Sequence, residues 1–189
     1  MNKYYIPFDL SKNVNYNYIF SLYSIAEFDT NTKRYNIIKY KSKKQLAEML
    51  DISPKTLSNI INNKDYNLFF YFDNKNKQIQ INNNFTKDFT KKPFVILYDE
   101  ELKILLKEKD NLLFKYFIYL KYFCGYTESK GIIQDFTIKQ FLEFCGYSIN
   151  SNNYISRISS YNSFLCEKKL IKIKKKNDEL GHTRNIYTL

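Results

Sequence analysis

The chain has 189 residues, 44% of them hydrophobic and 18% aromatic, which supplies a core for one domain or two small ones and excludes a disordered chain. With only 4 Gly and 3 Pro, it is poor in the residues that loop-rich β-sandwiches and glycine-cradled phosphate sites need. Lys+Arg number 30 against 19 Asp+Glu, a net charge of +11, and an extended anionic partner accounts for so broad an excess better than a small acidic substrate does.

In chain order, residues 16–28 read as an amphipathic helix, with Ile19, Phe20, Leu22, Tyr23 and Ala26 at helical spacing. Residues 37–40 read as a short strand. Ser42, with Gln45 three residues on, is a capping box that opens a helix over 43–50. Residues 51–53 form a turn. Ser53 and Pro54 then open a helix to about Asn62, a cap residue followed by proline at the first helical position. Residues 68–72 and 78–81 read as strands joined by the polar turn 73–77.

The polar stretch 82–93 ends in Pro93 and is the expected domain boundary. Beyond it the same order returns. Asp99, Glu100 and Glu101 start a helix where its dipole favours acids. A longer apolar helix is expected over 111–124, stopped by Gly125, and a strand at 132–133. Thr137 caps a helix over 138–145, stopped by Gly146. Ser151 or Asn152 opens a helix to about Lys168. Residues 170–175 and 184–189 read as strands around a polar loop. Two domains follow, 1–90 and 93–189, with the same order of elements.

The single histidine, His182, leaves no ligand set for a zinc hydrolase and no base for a Ser-His-Asp site. Neither a phosphate-binding P-loop nor a dinucleotide fingerprint occurs. No metal, cofactor or catalytic residue is expected. Cys124, Cys145 and Cys166 are odd in number, form no C-x-x-C and read as reduced thiols of a cytoplasmic protein. No signal peptide or membrane span is expected. Codon bias of a low-G+C genome can supply part of the lysine excess. Yet residues 1–92 carry 15 basic and 8 acidic side chains, 93–166 carry 8 and 8, and 167–189 carry 7 and 3, which reads as placed charge.

Residues 42–62 resemble the helix-turn-helix of bacterial DNA-binding proteins. Leu46, Ala47 and Leu50 face inward on the first helix, Ile52 plugs the turn, and Leu57, Ile60 and Ile61 face inward on the second. Lys55, Asn59 and Asn62 are left on the opposite face, with Thr56 and Asn63 beside them. Asn pairs bidentately with adenine, and Lys with guanine or phosphate. Ser53 stands where a helix N-terminus can hold a phosphate. Lys75 and Lys77 lie in the turn between strands. In the second half Asn153, Ser156, Arg157 and Ser160 lie opposite an apolar face made by Ile155, Ile158, Asn162 and Leu165. Arg157 reads either as a DNA contact or as the partner of a carboxylate such as Glu143. Lys174, Lys175, Lys176 and Arg184 sit on the terminal ribbon, where cations reach the minor groove or its phosphates.

Two such modules in series predict an α+β fold of two tandem winged helix-turn-helix domains. The pattern resembles the replication initiators of plasmids and phages from low-G+C bacteria, best in its second half: 137–145, a long helix, and the ribbon ending Arg184-Asn185-Ile186-Tyr187. The resemblance implies binding to repeated double-stranded DNA sites at an origin, without catalysis. A transcription regulator or a partition or conjugation accessory factor shares this arrangement. A winged-helix protein-interaction module and a homodimer built on the neutral middle of the chain are the other readings.

Overall fold

The computed structural model describes residues 3–10, 13–29, 34–82, 94–128, 134–135, 137–177 and 183–189. It is a mixed α+β protein with seven α-helices and small antiparallel sheets among these residues. The chain separates into two compact units, Met1–Pro7 with Asn13–Lys109, and Phe8–Lys12 with Asp110–Leu189.

In the first unit, β1 (Lys3–Pro7) pairs antiparallel with β6 (Phe94–Tyr98), Lys3 opposite Tyr98 and Pro7 opposite Phe94. Both are runs of aromatic and aliphatic residues, with Tyr4, Ile6, Val95 and Leu97 buried. β6 leads into α4 (Asp99–Glu108), whose first turn carries the three expected acids. The Tyr98 N–H donates to the Glu101 carboxylate (2.8 Å), and the Tyr4 hydroxyl donates to Asp99 (3.1 Å). The expected boundary at 82–93 is therefore displaced. Residues 94–109 fold with the first unit because strand pairing to β1 satisfies their backbone. Residues 83–93 lie outside the described residues.

The helix expected over 16–28 is α1 (Tyr16–Ser24), capped by Asn15, whose side chain accepts from the Asn17 N–H (3.0 Å). It ends early because residues Glu27–Asp29 form a strand, β2, which pairs with β3 (Arg34–Lys39). The α2 helix (Lys43–Met49) and α3 (Pro54–Asn62) follow, then a 3-10 turn (Lys64–Leu68), β4 (Phe70–Asp73) and β5 (Gln78–Ile81). The four strands lie in the order β2-β3-β5-β4, all antiparallel. Their inner side chains, Ile38, Phe70, Ile79 and Ile81, are buried, as are Tyr16, Ile19, Phe20 and Tyr23 of α1 and Leu46, Ala47, Leu57 and Ile60 of α2 and α3.

In the second unit, α5 (Asn111–Glu128) runs through Gly125 rather than stopping there. Glycine costs about 1 kcal/mol in a helix interior, and the burial of every residue from 112 to 120 outweighs that. The strand expected at 132–133 falls outside the described residues. The described strand is β7 (Gln134–Asp135). Then come α6 (Ile138–Phe144), α7 (Asn152–Glu167), β8 (Lys172–Asn177) and β9 (Thr183–Thr188), in the sheet order β7-β9-β8. Thr137 and Gln140 form the capping box of α6, with bonds of 3.2 and 2.7 Å. Asn162, expected among the inward residues, is buried. It accepts from the Tyr116 hydroxyl (2.7 Å) and donates to Tyr187 (3.2 Å), joining α5, α7 and β9. Phe8 stacks on Tyr122 with ring centroids 3.9 Å apart.

Each unit contains a run of one strand, two α-helices and two strands in which the third strand of the run lies between the other two: β3-β5-β4, with β2 outside β3, in the first unit and β7-β9-β8 in the second.

Candidate nucleic-acid interface

The α2–α3 corner is built by local chemistry. Ser42 Oγ accepts from the Gln45 N–H (3.1 Å), and Gln45 reaches back to the Lys41 N–H (2.7 Å), one residue before the expected partner. Asp51 then takes a left-handed conformation (φ 53°), and the Ile52 N–H closes on the Ala47 carbonyl (3.0 Å). Ser53 Oγ caps α3 through the Thr56 N–H (3.1 Å). Leu57 and Ile60 bury one face. Lys55, Asn59 and Asn62 are exposed on the other, and among the described residues none of these three side chains has a hydrogen-bond or ion-pair partner.

Not every nominated residue of this helix stands free. Ser53 Oγ also lies 2.9 Å from Thr56 Oγ1, so both hydroxyls serve the cap rather than standing ready for a ligand. Asn63 is a cap as well: its side-chain oxygen accepts from the Asp65 N–H (3.0 Å) and starts the 3-10 turn.

The β4–β5 turn is tied by Asp73, which accepts from the Asn76 N–H (3.0 Å) and side-chain amide (2.7 Å). Those Asn76 bonds hold the Asp73 carboxyl below its usual range. Lys77 closes the turn with φ 51°, and Lys75 and Lys77 are both exposed. Asp51 is the one acid in the corner between α2 and α3. Lys109 meets it at 2.8 Å, and this hydrogen-bonded ammonium lowers the Asp51 carboxyl's pKa.

In the second unit, α6 ends on Gly146 (φ 70°), and the Tyr147 N–H closes on the Leu142 carbonyl (2.8 Å), the same closure as at Asp51. The outward face of α7 differs from that of α3. Arg157 donates to both oxygens of Asp110 (3.0 and 2.9 Å), and Tyr161 donates to the same carboxylate (2.6 Å). Asp110 also caps α5 through the Leu112 and Leu113 N–H groups (3.0 and 3.3 Å). Partial burial opposes the Asp110 charge, but Tyr161, Arg157 and the Leu113 N–H outweigh it and hold the carboxyl below its usual range. The carboxylate partner of Arg157 is thus Asp110 and not Glu143, and the arginine anchors α7 to α5. Asn153 and Ser156 are exposed, while Ser160 Oγ bonds back to the Ser156 carbonyl (3.3 Å). Between 152 and 167 the helix carries no other cation.

Cations of this unit stand instead on β8. Lys172, Lys174 and Lys175 are exposed on an outer strand. Lys176 pairs with Arg184 in the ladder, and their side chains lie outside the described residues, as does His182. Counted over the folded units, the charge is 17 basic against 11 acidic in the first and 13 against 8 in the second. Within the second unit the excess lies at 167–189, with 7 basic and 3 acidic side chains, so the neutral stretch before it persists.

Three features escape a reading of the sequence: the Asp110 anchor, the full burial of Lys115, and Tyr71, which is 63% exposed on β4. Aspartate just before an apolar helix is a cap signal that could have found the first. The continuous aromatic run 69–72 hides which ring faces outward. Among the described residues, no group of three or more His, Cys, Asp or Glu is placed to hold a metal ion, and no helix is long and apolar enough to cross a membrane. The chain matches no family model, no curated protein and no solved structure.

Proposed function

We propose that this chain is a sequence-specific double-stranded DNA-binding protein, built of two winged helix-turn-helix units, that acts by occupying DNA and catalyses nothing. The observation that carries this reading is α3. Its one face is sealed into the core by Leu57 and Ile60, and its other presents Lys55, Asn59 and Asn62 to solvent. Amide side chains on a helix surface suit the paired donor and acceptor of adenine in the major groove, and the lysine suits guanine or phosphate. The shared strand order, with the last strand between the other two, supports the winged-helix reading of both units.

Roles divide between the units. α3 reads bases. Lys75 and Lys77 at the hairpin turn, and Lys172, Lys174 and Lys175 on β8, neutralise phosphates. The process we assign is origin binding, on the resemblance to plasmid and phage replication initiators. A transcription regulator would make the same contacts at sites beside promoters.

Selection of bound sequences from a random duplex library tests the reading. A single enriched motif is the expected result, and its place in the genome, repeated at an origin or beside a promoter, decides the process. Salt-dependent binding without enrichment would remove base reading. No binding at low salt would overturn the DNA reading and leave a protein-interaction module.

A further inference from the structure

In the first unit, a cleft of about 620 Å³ runs between the end of α3 and the outer strand β4. Its size falls within the roughly 300–1,000 Å³ typical of small-ligand sites. No charged residue lines it. The polar part is amide: Asn62, Asn74 and Gln80 line it, while Asn82 and Asn67 are joined to each other by a 3.4 Å bond. Its aromatic part includes Tyr71, which lies directly opposite Gln80 in the β4–β5 ladder, so the two side chains share one face of the sheet.

A tyrosine left 63% exposed on a strand forgoes the apolar burial that its neighbours Phe69 and Phe70 obtain in the core. An uncharged concave surface that combines an exposed ring with several amides matches a flat heteroaromatic ligand with hydrogen-bonding edges. Exposed lysines lie next along the chain, Lys64 after the α3 end and Lys75 after Asn74, where a phosphate outside the cleft would find them. A base within a duplex has both faces stacked and cannot lie on a ring, so the ligand must be unstacked.

We infer that this cleft binds an unpaired nucleobase of a single-stranded DNA segment, with Tyr71 as the stacking platform and the Gln80 amide on the base edge. This goes beyond duplex reading by α3, and it stands or falls on a separate measurement.

The test uses the full chain and two labelled probes: a short single strand carrying a fluorescent adenine analogue, and a duplex bearing the selected motif. The expected result is quenching of the analogue on binding. Tyr71→Ala should weaken single-strand binding by roughly 5- to 150-fold, Tyr71→Trp should restore it, and duplex affinity should stay unchanged. Because Tyr71 is largely exposed, the alanine variant is expected to fold, and an unchanged melting temperature checks this. Unaltered single-strand binding by Tyr71→Ala would overturn the inference. So would an equal loss on both probes, which would put Tyr71 in the duplex interface. Deoxyadenosine monophosphate separates the two sources of a base. If it alone binds as tightly as the strand, the cleft is a free-nucleotide site and the strand assignment is wrong.

Discussion

Helices α3 and α7 occupy the same place in their units and are held in opposite ways. The Ser53 cap and the apolar packing of Leu57 and Ile60 secure α3, and Lys55, Asn59 and Asn62 on its far side are unengaged among the described residues. Polar bonds on two sides secure α7: Asn162 inside, between Tyr116 and Tyr187, and Arg157 outside, on Asp110. An arginine on a helix face is therefore not a reader by virtue of being on a face. What it touches decides whether it can meet another molecule. By that criterion the proposed duplex reading rests on α3, and α7 is excluded from it because its one cation is engaged by Asp110.

The contrast can be broken most sharply at Asp110. Asp110→Ala removes a helix cap and leaves Arg157 and Tyr161 without their shared acceptor, so unfolding in urea should show a loss of about 2–4 kcal/mol in stability. Duplex affinity at a temperature where the variant is folded should not change. A loss of affinity with stability intact would return α7 to the interface.

At matched positions, Asn59→Ala should lose about 1–3 kcal/mol on the selected site and little on random duplex. Arg157→Ala should lose stability and no discrimination. Equal losses by Asn59→Ala on both DNAs, measured by anisotropy titration, would show that it reads no base.

The ribbon comes next. Replacing Lys174, Lys175 and Lys176 with alanine should lower the slope of log affinity against log salt by up to about 3, roughly one unit for each phosphate left unneutralised. Replacing Lys75 and Lys77 should lower it by up to about 2. A slope unmoved by either set would take that hairpin away from DNA.

The smallest effect is on acid stability. The folded Asp110 carboxyl has a lowered pKa. Its stabilising contribution is therefore complete above the unfolded value of about 3.9 and is lost as pH falls through the folded value. Asp110→Asn should flatten that part of the stability–pH curve, followed by thermal melts between neutral and acidic pH.

How much of the fold is legible in the sequence depends on how far the signals reach along the chain. The α2–α3 corner is readable because Ser42, Gln45, Ser53 and Pro54 act within three or four residues. The strand runs of both ribbons are readable to within one or two residues from alternation. The β1–β6 pair is not, since no local pattern shows that Ile6 will face Val95. The stop expected at Gly125 fails because burial of the helix overrides a glycine's preference. A carboxylate partner is a fair expectation for Arg157, but Glu143 is the wrong one, because Asp110 lies 47 residues away and only the packing of α7 on α5 brings the pair together.

The route of the chain sets the order in which the protein can be completed. Strand β1 is synthesised long before its partner: the Tyr4–Asp99 bond spans 95 positions. The segment after it, Phe8–Lys12, waits longer still, for α5 and beyond. On the ribosome residues 3–7 cannot pair until β6 has emerged, and closing so long a loop is a late, entropically costly step. A nascent chain arrested just before residue 94 should accordingly remain open to protease at its N-terminus. A chain released after residue 109 should protect residues 3–7 while leaving Phe8 exposed. Strand β1 thus closes the first unit late in that unit's synthesis, and Phe8 must await the second.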